Sequence, residues 1–554
     1  MSDKPTVGEV IIAFLEECGC EATFGVISIH NMPFLDAIGR RGKIRYVATR
    51  GEAGAVNMAD ACTRVSGNLS AAFTSTGTAA GNASGAMVEA QTAGTPILHI
   101  TGQIDSPHVD KDHGFIHEAR DQLGMLKSVS KSAWRVTSPE NALETFKKAV
   151  QDAFTPPMGP VSVETPIDIQ KAQIDWPADL SPLPINVPEP DEAALAVLAD
   201  ELATAKRPML WLGGGARHAG DAVQRLVEMG FGVVTSVQGR GILPDTHPAN
   251  LGAYNLYKNV EAFYQTCDAM VVAGSRLRSN ETLSYKLQLP KPLSMIDADP
   301  NAEKGRPYVA ERFIQGDAEL ALEKLADLLD GRMSPHPAFK DDLANAKAEA
   351  VQFMRDGFKP YERLVDAISC NGGDDFIWVR DVTISNSTWG NRTVPVMGPR
   401  DGVHALGGGI GQGIQMAIGA AVGAPGRRII CLVGDGGLQV NIGEMATAAQ
   451  EGVDITVVLM NSQDYEVIKN IQNALYGGRQ YYADIYTPDF EQITSAMGWS
   501  YQKLSDLSCA QTTLSTAIGN KGAQLIEVEM AAIGDYARAF GGPPVSHDQD
   551  EKKD

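Results

Sequence analysis

The sequence is short of aromatic residues, of basic charge and of paired cysteines. Aromatics are 6% of its 554 residues, and 47 Lys and Arg stand against 68 Asp and Glu, for a net charge of −21. Such a field repels polyanions, which excludes nucleic acid as the main partner. The seven cysteines (Cys18, Cys20, Cys62, Cys267, Cys370, Cys431, Cys509) are odd in number and show no C-x-x-C spacing. Neither a disulfide framework nor a zinc site is expected, and a reducing cytoplasm is the expected compartment. Long apolar runs are missing too: residues 429–433 and 457–460 fall far short of the roughly 20 residues that cross a bilayer. The opening Met1-Ser-Asp-Lys-Pro-Thr-Val7 lacks the basic start and apolar core of a signal peptide, so no membrane association is expected.

What is present is an ordinary globular composition, 44% apolar and 21% charged, on a chain long enough for three or four domains. Its 56 glycines, about one residue in ten, lie in clusters. Short β-rich runs alternate with amphipathic stretches, the pattern of parallel α/β sheets. Strands are expected at 22–26, 46–49, 71–74 and 96–101, with a helix over 53–64, and this unit closes near 161–165. The proline-dense stretch 176–190 suits an extended linker. A second unit has strands at 209–212, 233–236, 270–273 and 294–296, a glycine turn at 213–215 and helices near 221–229 and 340–355. A third has strands at 376–379, 429–433, 455–460 and 525–529. The expected division is three consecutive α/β domains at 1–180, 191–335 and 356–540, followed by a charged, disordered tail at 541–554. The first and third units match in size and strand spacing, without a residue-level repeat.

Chemistry concentrates where apolar strands run into glycine. Residues 429–433 deliver Asp435 into Gly434-Asp-Gly-Gly437 ahead of a helix expected at 442–450. The carboxyl end of a parallel strand is where α/β sheets place ligands. Glycines there let main-chain N–H groups approach a phosphate, and a carboxylate can hold the Mg²⁺ that neutralises it. Alone, the motif reads as a turn. The next strand, however, also ends in oxygen-bearing residues, Asn461-Ser462-Gln463-Asp464, as a hard cation requires.

This pairing resembles the signature of thiamine diphosphate (ThDP) dependent enzymes. The resemblance implies a Mg²⁺ site at Asp435, Ser462 and the Asp464 carbonyl, with Gly434, Gly436 and Gly437 beside the diphosphate. Ser462 departs from the Asn usual at that position. It extends to Tyr46-Val-Ala-Thr-Arg-Gly-Glu52, where Glu52 would hydrogen-bond N1′ of the aminopyrimidine and so promote loss of the thiazolium C2 proton; by itself Glu52 reads as a helix-start carboxylate. Phe73-Thr-Ser-Thr-Gly-Thr-Ala-Ala-Gly-Asn82 is similar to the loop that sets an Asn beside the pyrimidine. His404-Ala-Leu-Gly-Gly-Gly-Ile410 matches the segment in which Ile410 props the bent cofactor and the Gly408 carbonyl accepts from its 4′-amine. Ser385 and Asn386 fall where relatives carry Gly-Gln-His against the diphosphate. The middle unit, with Arg276 and Asp299, looks like the family's Rossmann-like domain. Relatives bind flavin, a nucleotide or nothing there, so FAD is left open.

Within the family, Gly434-Asp-Gly-Gly-Leu-Gln-Val-Asn441-Ile-Gly-Glu444 and Leu475-Tyr-Gly-Gly-Arg479 most resemble acetolactate synthase large subunits and their decarboxylase and lyase relatives. Substrate-facing segments depart from the synthases: Ser28-Ile29-His30 replaces Gly-Gly, Phe115-Ile-His117-Glu118 replaces Phe-Gln-Glu, and Lys469-Asn-Ile471-Gln472 replaces Arg-Gln-Trp-Gln. His30 and His117 are candidate proton donors, and Gln412 a further catalytic candidate. A lone His is otherwise a structural residue.

The expected activity is ThDP- and Mg²⁺-dependent carbon–carbon bond chemistry on a 2-oxo acid or acyloin, decarboxylating, ligating or both. The family architecture implies a homodimer or homotetramer. Two alternatives stand: a lyase of 2-hydroxy ketones or 2-hydroxyacyl compounds, or a catalytically silent regulatory subunit.

Overall fold

In the computed structural model, residues 4–540 and 542 are described. All but Gly542 of the expected tail therefore lies outside them. The first sheet holds β1 (Ala22–Gly25), β2 (Arg45–Ala48), β3 (Ala71–Thr74), β4 (Leu98–Gln103), β5 (Ser132–Arg135) and β6 (Val161–Pro166), in the order β2-β1-β3-β4-β6-β5. The second holds β7 (Pro208–Leu212), β8 (Gly232–Thr235), β9 (Ala269–Ala273), β10 (Leu293–Asp297) and β11 (Arg312–Gln315), in the order β11-β10-β9-β7-β8. The third holds β12 (Phe376–Arg380), β13 (Gly402–His404), β14 (Arg428–Gly434), β15 (Ile455–Asn461), β16 (Ser500–Leu504) and β17 (Gln524–Glu529), in the order β13-β12-β14-β15-β17-β16. All strand pairs in the sheets are parallel. Every residue of β15 is buried, as a strand covered on both faces must be. The fold is the expected three-sheet α/β architecture.

Counted from its own first strand, the third sheet repeats the order of the first. In such an order the chain leaves in opposite directions from two neighbouring strands, β1 and β3 in one sheet and β12 and β14 in the other. The crevice beyond their carboxyl ends is a ligand position. His30 and Ser75 follow the first pair; Asp381 and Asp435 follow the second.

The two units are packed together by the helices Glu52–Ser66 and Gly413–Gly423, whose buried residues share one apolar cluster with strands of both sheets. The helices approach closely enough that a Cβ at Gly419 would collide with the Met58 carbonyl oxygen. Asn57 Nδ2 donates to Gln415 Oε1 across the same contact at 2.6 Å.

One local expectation is corrected, and one further element had no counterpart in the local pattern. Residues 434–437 are not an open turn: a short helix, Asp435–Val440, begins at Asp435, and the helix after it runs Glu444–Glu451. Glycines at 436 and 437 let the chain coil while the Tyr465 ring packs on Gly436, where a Cβ would stand 2.6 Å from the ring. Residues around Asn386 form a π-helix, Asn386–Gly390, for which no local pattern called.

Candidate active site

In the first unit Glu52 opens the helix Glu52–Ser66, half-buried, and Asn82 Nδ2 donates to its Oε2 at 3.2 Å. Thus two residues from separate glycine-flanked helix starts meet. His30, 6% exposed, lies in the β1/β3 crevice with Nδ1 3.4 Å from Ser75 Oγ. The His117 ring stands edge-on to it, centroids 5.3 Å apart, on a backbone at φ 66°. Burial and then the neighbouring His117 hold the His30 imidazole below its ordinary value. Beneath the crevice, Gln122 Oε1 accepts from the Gly77 N–H at 2.7 Å and the Thr76 hydroxyl at 2.9 Å, while its Nε2 donates to Glu164 at 2.9 Å. Glu164 pairs with Arg135, which also reaches Asp110 in the His117 loop.

In the third unit Asp435 is 2% exposed and its Oδ2 has no hydrogen-bond partner among the described residues. Burial raises its carboxyl to about 6; the N–H groups of Gly436, Asp435 and Ser462 oppose that, and Asp464 adds to it. The register of β14 and β15 puts Gly434 beside Met460, so Asp435 and Ser462 leave adjacent strand ends. The Ser462 hydroxyl donates to the Asp464 carbonyl at 3.3 Å. Asp464 Oδ2 pairs with Lys469 Nζ at 2.6 Å, and Lys469 also pairs with Asp484 at 2.6 Å. Asp435 Oδ2, Ser462 Oγ and the Asp464 carbonyl are hard oxygen donors, and the orphaned carboxylate oxygen fits a Mg²⁺ site. Among the described residues no three His, Cys, Asp or Glu side chains form a metal-holding group. A cation here would therefore also take main-chain, hydroxyl or phosphate oxygens.

The glycine loop before the helix Gly413–Gly423 leaves Gly408 exposed at φ 85° and Ile410 41% exposed. Gln412 is buried, with Oε1 unpartnered among the described residues. Ser385 is fully buried and shares a 2.7 Å hydrogen bond with the Tyr536 hydroxyl, so it faces the interior of its unit. Asn386 is buried too, with Oδ1 free of partners among the described residues and Nδ2 3.4 Å from His404 Nδ1.

Three carboxylates escaped the sequence reading. Glu89 accepts from the N–H of Leu406 at 2.7 Å and of Gly407 at 2.5 Å, and from Arg64 at 3.0 Å. Asp381, 1% exposed, accepts from the Gly411 N–H at 3.0 Å, and burial raises its carboxyl to about 6. The loop carrying Gly408 and Ile410 is thus held at one end by the first unit and at the other by the third. The third carboxylate, Glu466, has no hydrogen bond or ion pair to it among the described residues, and its Oε2 is buried. Burial, then Asp464, Asp535 and Asp435, raise Glu466 to about 7, against a smaller opposing effect of Lys469. The one signal for Asp381 and Glu466 was position, just beyond β12 and β15; Glu89, inside a helix, had none. No hydrogen bond or ion pair among the described residues joins the Glu52–Asn82 pair to Asp435 or Ser462.

A separate cavity of about 460 Å³ is lined by Gly213–Gly215, Arg276 and Asp299 together with Arg64, Lys131, Arg217 and Arg306. None of the residues proposed above for catalysis lines it. No helix among the described residues is long and apolar enough to cross a membrane.

Three family models match the chain. They are the thiamine pyrophosphate enzyme N-terminal TPP binding domain over residues 5–125, the central domain over 195–325 and the C-terminal TPP binding domain over 384–528. A Pseudomonas aeruginosa protein described as a probable 2-ketoarginine decarboxylase is 30% identical over 95% of this chain and 94% of its own length. The acetolactate synthase isozyme 1 large subunit of Escherichia coli is 27% identical over 95% of this chain and 94% of its own. A solved structure from Mycobacterium smegmatis, described as a thiamin diphosphate-dependent enzyme, superposes with a TM-score of 0.78 at 24% identity, covering 95% of this chain and 99% of that one. The chain belongs to the thiamine pyrophosphate enzyme family and is a thiamine diphosphate-dependent, acetolactate synthase-like enzyme.

Proposed function

We propose that the enzyme decarboxylates a 2-oxo acid with ThDP and Mg²⁺ and passes the acyl unit to a proton or a carbonyl acceptor. The observation that carries this reading is the Glu52–Asn82 pair, a carboxylate held at a helix start by an amide and otherwise unpaired among the described residues. When bound, the cofactor supplies an electron sink for the pair released as CO₂ departs. Glu52 would hold a proton at the pyrimidine nitrogen, and Asn82 would orient Glu52. Asp435, Ser462 and the Asp464 carbonyl would hold Mg²⁺, and Gly434, Gly436 and Gly437 would bring N–H groups to the diphosphate. Gly408 and Ile410 would seat the bent cofactor, Asn386 would offer its free amide oxygen, and Gln412 would face the reacting carbon. His30, buried and backed by Ser75, can accept or relay a proton with His117 at the mouth.

The active unit in this reading is a homodimer or a higher homo-oligomer. No hydrogen bond or ion pair among the described residues joins the Glu52–Asn82 pair to Asp435 or Ser462, and apolar residues around each are left exposed: Ile29 at 68% and Ile116 at 72% near the histidines, Val440 at 52% near the metal half. A second copy would cover both and complete the site. We place it in the cytoplasm.

A second reading, a lyase of 2-hydroxy ketones, is favoured by the His30–His117 pair. The arginine-rich cavity suits the phosphates of a nucleotide, flavin among them; the visible absorbance of the purified protein tests for flavin. Titration of the apo-protein with ThDP and Mg²⁺ tests the main reading, and no saturable binding would instead mark a silent subunit. A panel of pyruvate, aromatic and guanidinium-bearing 2-oxo acids and acyloins, followed for CO₂ and coupled products, separates decarboxylase, ligase and lyase. The guanidinium compound is included because of the 2-ketoarginine decarboxylase relative.

A further inference from the structure

The helix Glu52–Ser66 begins without a cap of its own, because its N-cap residue is Gly51 and no side chain there accepts a hydrogen bond. The first N–H groups of a helix have no partner inside it, and an acid in the first turn ordinarily turns back toward them. Glu52 is that acid. Among the described residues, however, the one hydrogen bond to its carboxylate comes from Asn82 Nδ2 at 3.2 Å.

The carboxylate that lies against this helix start belongs to the third unit. Glu444, the first residue of the helix Glu444–Glu451, is 2% exposed, and its Oε1 and Oε2 accept from the Arg50 N–H at 3.1 and 3.2 Å, 394 positions away in sequence. The Thr447 hydroxyl donates to Oε2 at 2.5 Å. A Cβ at Gly54, in the first turn of the helix that Glu52 opens, would collide with Glu444 Oε1, so glycine is what lets the carboxylate sit there. The Arg50 side chain fastens the same junction: Nη2 donates to Gln450 Oε1 at 2.9 Å and Nη1 to the Ala48 carbonyl at 2.8 Å. The segment that delivers Glu52 is therefore registered on the third unit as well as on its own sheet.

We infer that Glu444 is a positioning residue for Glu52. Its buried charge occupies the helix start that Glu52 would otherwise fill, and it fixes the main chain two residues ahead, which leaves the Glu52 carboxylate to Asn82 and to the cofactor. This rests on the proposed role of Glu52 at the ThDP pyrimidine.

The test compares full-length wild type, Glu444→Ala, Glu52→Gln and the double variant. In ligand-free protein, amide hydrogen exchange read by mass spectrometry over peptides spanning residues 46–55 is expected to rise in Glu444→Ala, because the Arg50 N–H loses its acceptor. With saturating ThDP and Mg²⁺, proton exchange at C2 of the bound cofactor, followed by NMR in D₂O, should slow by about tenfold or more. In the Glu52→Gln background the same replacement should slow it by no more than about twofold, since a residue acting through Glu52 has nothing left to orient. Should Glu444→Ala fail to fold, Glu444→Gln, which keeps one acceptor oxygen, is expected to give a smaller slowing that likewise vanishes in that background. A lower melting temperature with C2 exchange unchanged at saturating cofactor makes Glu444 a bridge between units and overturns the inference, as does equal slowing with and without Glu52. If the wild-type protein binds no ThDP, or Glu52→Gln leaves exchange unchanged, the functional reading itself fails; if Glu52→Gln slows exchange and the Glu444 variants do not, only the role of Glu444 fails.

Discussion

The Glu89 carboxylate accepts the Gly407 N–H at 2.5 Å, across 318 positions of sequence and from one sheet unit to another. It also holds the Leu406 N–H and, with Asp60, the buried guanidinium of Arg64. The glycine loop at Gly408 to Ile410 therefore has its near end fixed by the first unit before any ligand arrives.

Replacing Glu89 by Ala removes one member of this buried network and leaves two N–H groups unsatisfied. Unfolding in denaturant is expected to show a loss of about 3 kcal/mol, in the range for breaking a buried ion pair. ThDP affinity of the folded fraction should fall as well, and an unchanged ThDP titration would mean that Glu89 supports the fold without setting the loop.

The buried Asp381 carboxyl is raised to about 6 from an ordinary 3.8. Its folded form holds a proton more tightly than the unfolded chain does, so its favourable share of stability is present below pH 3.8 and is lost as pH rises through about 6. The loss is about 3 kcal/mol if the whole shift is realised. In Asp381→Asn this part of the pH dependence should vanish. Denaturant midpoints of both proteins between pH 4 and 6 would show it, and parallel curves would remove Asp381 as the cause.

Glu52→Gln keeps the size of the side chain and its contact with Asn82 while abolishing the carboxylate. Proton exchange at C2 of bound ThDP, followed by NMR in D₂O, is expected to slow by about a hundredfold or more, in line with the loss of an acid–base group. ThDP binding should change far less. Unchanged exchange removes Glu52 from the chemistry.

Gly419→Ala puts a methyl group against the Met58 carbonyl at the closest approach of the helices Glu52–Ser66 and Gly413–Gly423. The helices must separate, at a cost of about 1–3 kcal/mol. Thermal melting should report it, and a melt like the wild type's would show that the interface yields without strain.

Much of the fold was legible in local pattern. The run over 455–460 is continuous, apolar and β-branched, and such a segment has few homes other than a buried parallel strand; β15 is that strand, one residue longer. Glu52 and Asp435 were visible because each sits where glycine and a change of periodicity mark a strand-to-helix junction. The helix at Asp435 and the π-helix at Asn386 were not visible: packing of Tyr465 on one and burial of Trp389 in the other decide those backbones.

The sequence by itself determined three parallel units, the absence of a long apolar run and the glycine-flanked positions of the leading candidates, because strand burial and tight turns are properties of consecutive residues. The tertiary structure alone decided that the first and third sheets share one strand order. It alone brought Glu89 to Gly407, Asp381 to Gly411 and Asn82 to Glu52. It also left Glu466 Oε2 buried without a partner among the described residues. Whether a carboxylate is exposed, satisfied or stranded depends on which distant N–H groups and charges fold around it, and no local spacing encodes that.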